Sequence, residues 1–209
     1  MRASRRHILL GAGTAALGLP LVRSARADAP AGSVVGLRGQ CLVERQGHPA
    51  PLKMGDAVAV SDTIEVPADG KLKLRMQDGS VLSLASGTKM TVAAYQTAGG
   101  QRQNVQLSLA EGLIRAVVAP VDHPATFEVS TAVGTAAVRS TDWFIEAKPG
   151  SAQVGVLTGN VSLSSTATGR TVTIPSRWGA RLEAGRDPVP ARVWSPQEFQ
   201  AVISRTDVP

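Results

Sequence analysis

Alternation is the feature that most limits what this 209-residue chain can fold into. In "KLKLRM", Leu72, Leu74 and Met76 alternate with Lys71, Lys73 and Arg75, and in "NVQLSLA" Val105, Leu107 and Leu109 alternate with Gln106 and Ser108. Period two sends one set of side chains to a core and the other to water, as in a half-buried strand. Short runs of the same kind recur along the chain: "SVVGLRG", "AVAVSDTIEV", "ATFEVST", "WFIEA", "NVSLSS" and "RTVTIPS". Between them stand tight-turn sequences: "ADG" at 68–70, "DGS" at 78–80, "AGG" at 98–100, "KPG" at 148–150 and "ATG" at 167–169. Together they predict an all-β domain over residues 28–185.

A glycine also recurs between paired apolar runs, at Gly39, Gly112 and Gly159, with Gly70 and Gly79 at comparable joints. Glycine at such a joint lets the chain turn a corner, so the unit predicts a two-layered β-sandwich or a solenoid-like stack. Aromatic residues make up only 3%, which leaves Val, Leu, Ile and Ala to fill the core. Residues 186–209 read as a Pro-rich linker and one short docking helix. In "WSPQEFQAVISR", Ser195 is the N-cap, Pro196 takes the first helical position and Glu198 completes a capping box. Phe199, Val202 and Ile203 then form an apolar stripe for docking on the sheet.

The net charge of +6 and pI near 10.2 suggest an anionic partner until the N-terminus is considered. Arg5 and Arg6 precede an uncharged run from Ile8 to Val22, and the segment closes on Ala25-Arg26-Ala27. This is the layout of a twin-arginine (Tat) export signal, residues 1–27, with cleavage after Ala27. The run of 15 residues is shorter than the roughly 20 that span a bilayer as a helix. Without the signal, 17 basic residues face 16 acidic ones, a net charge of +1. The nucleic-acid reading then loses its basis. The expected location is the periplasm of a Gram-negative bacterium, with no transmembrane span in the mature chain.

Catalytic constellations are missing from the sequence. His48 and His123 each adjoin a proline and have no metal-ligand spacing, so no metal and no cofactor are expected. They read as solvated loop histidines. No nucleophile elbow, phosphate loop or dinucleotide fingerprint occurs, and the aspartates fall at turns. The single cysteine, Cys41, sits beside Leu42 and Val43 and reads as a buried, inert thiol. The expectation is a protein that is not an enzyme. Trp178, flanked by Arg177 and Arg181, is the candidate binding group, since sugars stack on exposed aromatic faces; the competing reading makes Trp178 a core plug.

Several stretches in order resemble the FecR domain, a bacterial periplasmic β-domain. They are "SVVGLRGQCLVER", the Leu52–Gly55–Asp56 turn, "KLKLRMQDGSVLSLASGTKM", "VQLSLAEGLIRAVV", "FEVSTAVGTAAVRSTDWFIEA" and "AQVGVLTGNVSL". The series runs from about Ser33 to Ile174 and includes the family-type turn Asp78, Gly79 and Ser80. The resemblance implies a two-layered, solenoid-like β-domain. The family's best-known members are anti-sigma regulators of iron-siderophore signalling, with a cytoplasmic sigma-binding domain and a membrane helix before this region. A signal that starts near residue 4 instead implies a free-standing exported member without the anti-sigma domain.

Within that pattern "GTAAVRSTDWFIEA" becomes the family's strand–corner–strand segment. Arg139, Ser140, Thr141, Asp142 and Trp143 form a structural corner, with Ser140 where the family has glycine. Trp143 and Ile145 are expected to face the core, and Phe144 and Glu146 to face out. Arg139 is expected to be at least half buried and bonded to Asp142 or to loop carbonyls. The functional expectation is a sensor or scaffold that binds an envelope or outer-membrane protein in signal transduction. The alternative is a polysaccharide- or peptidoglycan-binding module, with a glycan on Trp178.

Overall fold

A computed structural model of the chain describes residues 30–208. The expected signal, with Arg5, Arg6 and the cleavage after Ala27, lies outside these residues. Among the described residues seventeen strands and one helix follow one another. One sheet contains β1 (Pro30–Arg38), β4 (Ala57–Ala59), β6 (Lys71–Met76), β7 (Val81–Leu84), β12 (Asp142–Lys148), β13 (Ser151–Thr158), β16 (Trp178–Glu183) and β17 (Arg192–Val193). The other contains β2 (Leu42–Arg45), β3 (His48–Pro51), β5 (Thr63–Val66), β8 (Thr88–Ala98), β10 (Thr126–Ser130), β11 (Gly134–Val138), β14 (Asn160–Ser165) and β15 (Thr171–Pro175). The long β9 (Gln101–Val117) belongs to both.

In the first sheet the spatial order is β4-β1-β6-β7-β9-β12-β13-β16-β17. In the second it is β3-β2-β5-β8-β9-β10-β11-β14-β15. All pairs are antiparallel except β9–β10, which is parallel and therefore needs the crossover of residues 118–125. One continuous apolar core lies between the layers. It takes Leu72, Leu74, Leu82 and Leu84 from the first sheet and Ile64, Met90, Val92 and Leu107 from the second.

The glycine joints do what their spacing predicts. Gly39, Gly70 and Gly159 stand where the chain passes from one sheet to the other, and Gly112 is where β9 itself changes sheets. Gly112 has φ +99°, and a Cβ there would lie 2.4 Å from the Cα of Thr88, so no other residue fits without moving backbone. Gly79 differs, because it closes the β6–β7 hairpin within one sheet.

The helix α1 spans Pro196–Thr206. Ser195 Oγ accepts from the Glu198 amide, and the Glu198 carboxylate accepts from the Ser195 amide at 2.8 Å, a complete capping box. The helix lies on the outer face of the first sheet, where Phe199 and Val202 meet Phe144, Leu113, Ala85 and Trp194. Burial of each such side chain stabilises the docked helix by roughly 1.5–3 kcal/mol. At the other end, Lys71 Nζ donates to the carbonyls of Ser204 and Asp207, and Lys73 Nζ to that of Val208. These cations satisfy helix-end carbonyls and complement the dipole.

This packing corrects the expectation for Phe144. It points away from the main core, as alternation requires, yet it is buried beneath the helix. The reason is a cross-strand glycine pair. Gly155 lies opposite both Phe144 and Gly179, and the bare backbones make room for the rings of Phe144 and Trp194, whose centroids are 5.2 Å apart.

Candidate functional site

The corner at Arg139–Trp143 is where β11 leaves the second sheet and β12 enters the first. Trp143 and Ile145 are in the core, as alternation predicts. Ser140 does not adopt positive φ, so serine in place of glycine costs no left-handed strain. Thr141 is buried, and its Oγ1 donates to the Asn160 carbonyl at 3.3 Å.

Arg139 contradicts the expectation of a buried latch. Its side chain is exposed and makes no ion pair with Asp142. Asp142 is held instead by Arg115 on the neighbouring β9, through Nε at 2.9 Å and Nη2 at 2.7 Å. This two-point hydrogen bond raises the Arg115 pKa above its ordinary value, against the opposing effect of its burial. The register explains the choice, since Phe144 lies opposite Arg115 and places Asp142 two residues along the same face.

The latch exists, but it is built from Arg102. That side chain and the Asp78 carboxylate it pairs with are both almost fully buried, at 0% and 1% exposed. Arg102 Nη1 also reaches Ser80 Oγ at 3.3 Å, and Nη2 donates to the carbonyls of Ala119 at 3.1 Å and Arg139 at 2.7 Å. Asp78 in turn accepts from the amide and hydroxyl of Ser80, at 3.0 and 2.8 Å. The Asp78 amide donates to Tyr95 Oη at 2.8 Å. Burial, with Asp78 adding to it, pushes the Tyr95 phenol up to about 12. The guanidinium lies 5.6 Å from the centre of the Phe127 ring. The family-type turn Asp78-Gly79-Ser80 is therefore half of a charged hub that ties the β6–β7 hairpin, β9 and the corner together. Arg102 Nε is buried without an acceptor, so the hub is not fully satisfied.

Beyond the corner a cleft of about 510 Å³ opens on the outer face of the second sheet. Arg139, Ser140 and Thr141 form one wall, Thr126 and Glu128 of β10 another, and Gly159, Asn160 and Ser162 a third. The face it opens on is rich in hydroxyls. Thr63, Thr91, Ser108, Ser130, Thr135, Ser164 and Thr171 lie in one cross-strand row. Neighbours touch within that row, with Oγ–Oγ distances of 2.9 Å for Thr63–Thr91 and 2.8 Å for Ser164–Thr171.

Trp178 is placed apart from this cleft, at the start of β16 beside the edge strand β17 of the first sheet. It is 36% exposed, which overturns its reading as a core plug, and its cross-strand neighbour Val193 is 61% exposed. Arg177 is exposed with φ +69°, and Arg181 is exposed 3.6 Å from Glu183. His123 is not simply solvated. Its Nε2 lies 2.7 Å from the Arg102 carbonyl and its Nδ1 3.2 Å from Asp122. The Asp122 contact raises its pKa first, and the Arg102 carbonyl adds to this. Cys41 is buried, and that burial, together with Asp69, pushes its thiol up to about 11, which removes the reactive thiolate at neutral pH. Among the described residues no three His, Cys, Asp or Glu side chains are grouped to hold a metal ion. Among them, too, no helix is long and apolar enough to cross a membrane.

Residues 62–162 match the family model described as FecR protein, so this segment is similar to that family. The fold is similar to two crystal structures of a candidate anti-sigma factor from Parabacteroides distasonis. One superposes with a TM-score of 0.56 at 17% identity, over 66% of this chain and 63% of that one. The second gives 0.55 at 18% identity, over 66% and 62%. The chain thus spans less than two thirds of those proteins, and the likeness establishes the all-β fold. No curated protein matches the chain.

Proposed function

We propose that this FecR-like chain is a non-enzymatic regulator of signal transduction, exported to the periplasm, that binds an envelope protein by accepting a strand at β15. The family match and the anti-sigma designation of the structural neighbours support the regulatory part. The export signal read from Arg5, Arg6 and Ala25–Ala27 supports the location.

The state of the four sheet edges carries the choice of surface. The β3 edge contains Pro49 and Pro51, which cannot donate to a ladder. The β4 edge is three residues long and β17 only two. By contrast β15 presents Thr171, Val172, Thr173 and Ile174 before its terminal Pro175, and pairs with β14 alone among the described residues. β-branched residues favour a strand, and an open edge offers a partner main-chain hydrogen bonds. The test places a photo-crosslinking residue at Thr171 or, as control, at Ala50 of β3, in cells of the source type. One envelope protein captured from β15, and lost when Thr173→Pro is added, supports the reading. Equal capture from both positions, or none from either, rejects it.

The exposure of Trp178 beside Val193 favours one second reading, a glycan-binding module with Arg177 and Arg181 at its rim. Saturable binding to purified peptidoglycan or polysaccharide, abolished by Trp178→Ala, would establish it in place of the first.

A further inference from the structure

We infer that the cleft beside the corner is a binding site for a small zwitterion of the amino-acid or short-peptide class. This goes beyond the regulatory reading and uses a different surface from β15. The cleft holds one cation, Arg139, and one anion, Glu128. Among the described residues neither side chain enters an ion pair, with the other or with any third group. Both line the same cleft. Glu128 lies opposite Ala137 of β11, and Arg139 directly follows Val138, the last residue of that strand. A ligand with an ammonium and a carboxylate a few ångströms apart satisfies both charges at once. A ligand with one charge leaves the other unpaired in the cleft, and a neutral sugar leaves both.

The Arg139 side chain is free, but its backbone is not. The buried guanidinium of Arg102 holds the Arg139 carbonyl at 2.7 Å. On the far wall Gly159, with φ +91°, brings its backbone so close to the corner that a Cβ would lie 2.8 Å from the Ser140 carbonyl. The walls are therefore fixed before a ligand arrives, which lowers the ordering cost of binding. The remaining surface suits a peptide bond. Ser162, Ser140 and Asn160 supply hydroxyl and amide groups, and Ala125 and Ala137 leave space.

The test is titration of the full chain, by calorimetry and by amide chemical shifts, with triglycine, N-acetyl-triglycine, triglycinamide and cellotriose. Triglycine is expected to saturate a site whose shifted amides include Ser140 and Gly159. Blocking either terminus should weaken binding by about 10-fold or more, the loss expected for one charge-assisted hydrogen bond. Arg139→Gln and Glu128→Gln should each weaken triglycine by a similar factor, with the thermal midpoint unchanged. The inference is overturned if blocked and free peptides bind alike, if cellotriose alone saturates the cleft, or if no probe shifts these amides.

Discussion

Two arginines meet at one corner and are used in opposite ways. Arg102 is wholly buried, pairs with Asp78 and donates to two carbonyls, one of them the carbonyl of Arg139. Arg139 is exposed, and only its backbone takes part in the structure. A charge moved out of water needs partners on every side, whereas a charge left in water is available to bind. The corner is therefore held from inside by one arginine and presents the other.

The harshest way to break this contrast is Arg102→Leu. It strands the Asp78 carboxylate in the core, and should cost about 3–5 kcal/mol of unfolding free energy by urea titration. Adding Asp78→Leu removes the stranded charge and should recover part of that loss. If the single variant costs under about 1 kcal/mol, the hub holds nothing. Arg115→Ala tests a middle case, because its pair with Asp142 is about a quarter exposed on each side. Screening by water reduces the expected loss to roughly 1 kcal/mol, read by the same titration.

A smaller effect sharpens the comparison through pH. His123 gains Asp122 and the Arg102 carbonyl on folding, which raises its pKa. A raised folded pKa contributes stability that is fully present below the unfolded value, near 6.5, and is lost as pH rises through the folded one. The stability difference between wild type and His123→Ala should accordingly be larger at pH 5.5 than at pH 8.5. A difference that grows with pH would contradict the assignment.

Much of this fold was legible in the sequence because alternation and glycine joints are local signals. The strands of Lys71–Met76 and Thr126–Ser130, the corners at Gly39, Gly112 and Gly159, and the capped helix after Ser195 follow from neighbours a few residues apart. Arg102 was not legible. Counting back in steps of two from Val105 puts it on the wet face. The β8–β9 register, however, shifts between Gln96/Asn104 and Thr97/Arg102, and that bulge turns Arg102 inward. Its partners lie 17 to 37 residues away, beyond any periodic signal. Phe144 was misread for a related reason. Which face a strand residue occupies is local, but whether a helix from residues 196–206 covers that face is not. Arg139 looked structural because it stands three residues before Asp142 in sequence, yet across the sheet Asp142 lies beside Arg115.

The most direct measurement is urea unfolding of Arg139→Ala beside wild type. If Arg102 holds the corner and Arg139 only presents its charge, the two unfolding free energies agree within about 0.5 kcal/mol, as for surface substitutions generally. A loss of about 2 kcal/mol or more would show that the exposed arginine bears structural weight, and would contradict the account.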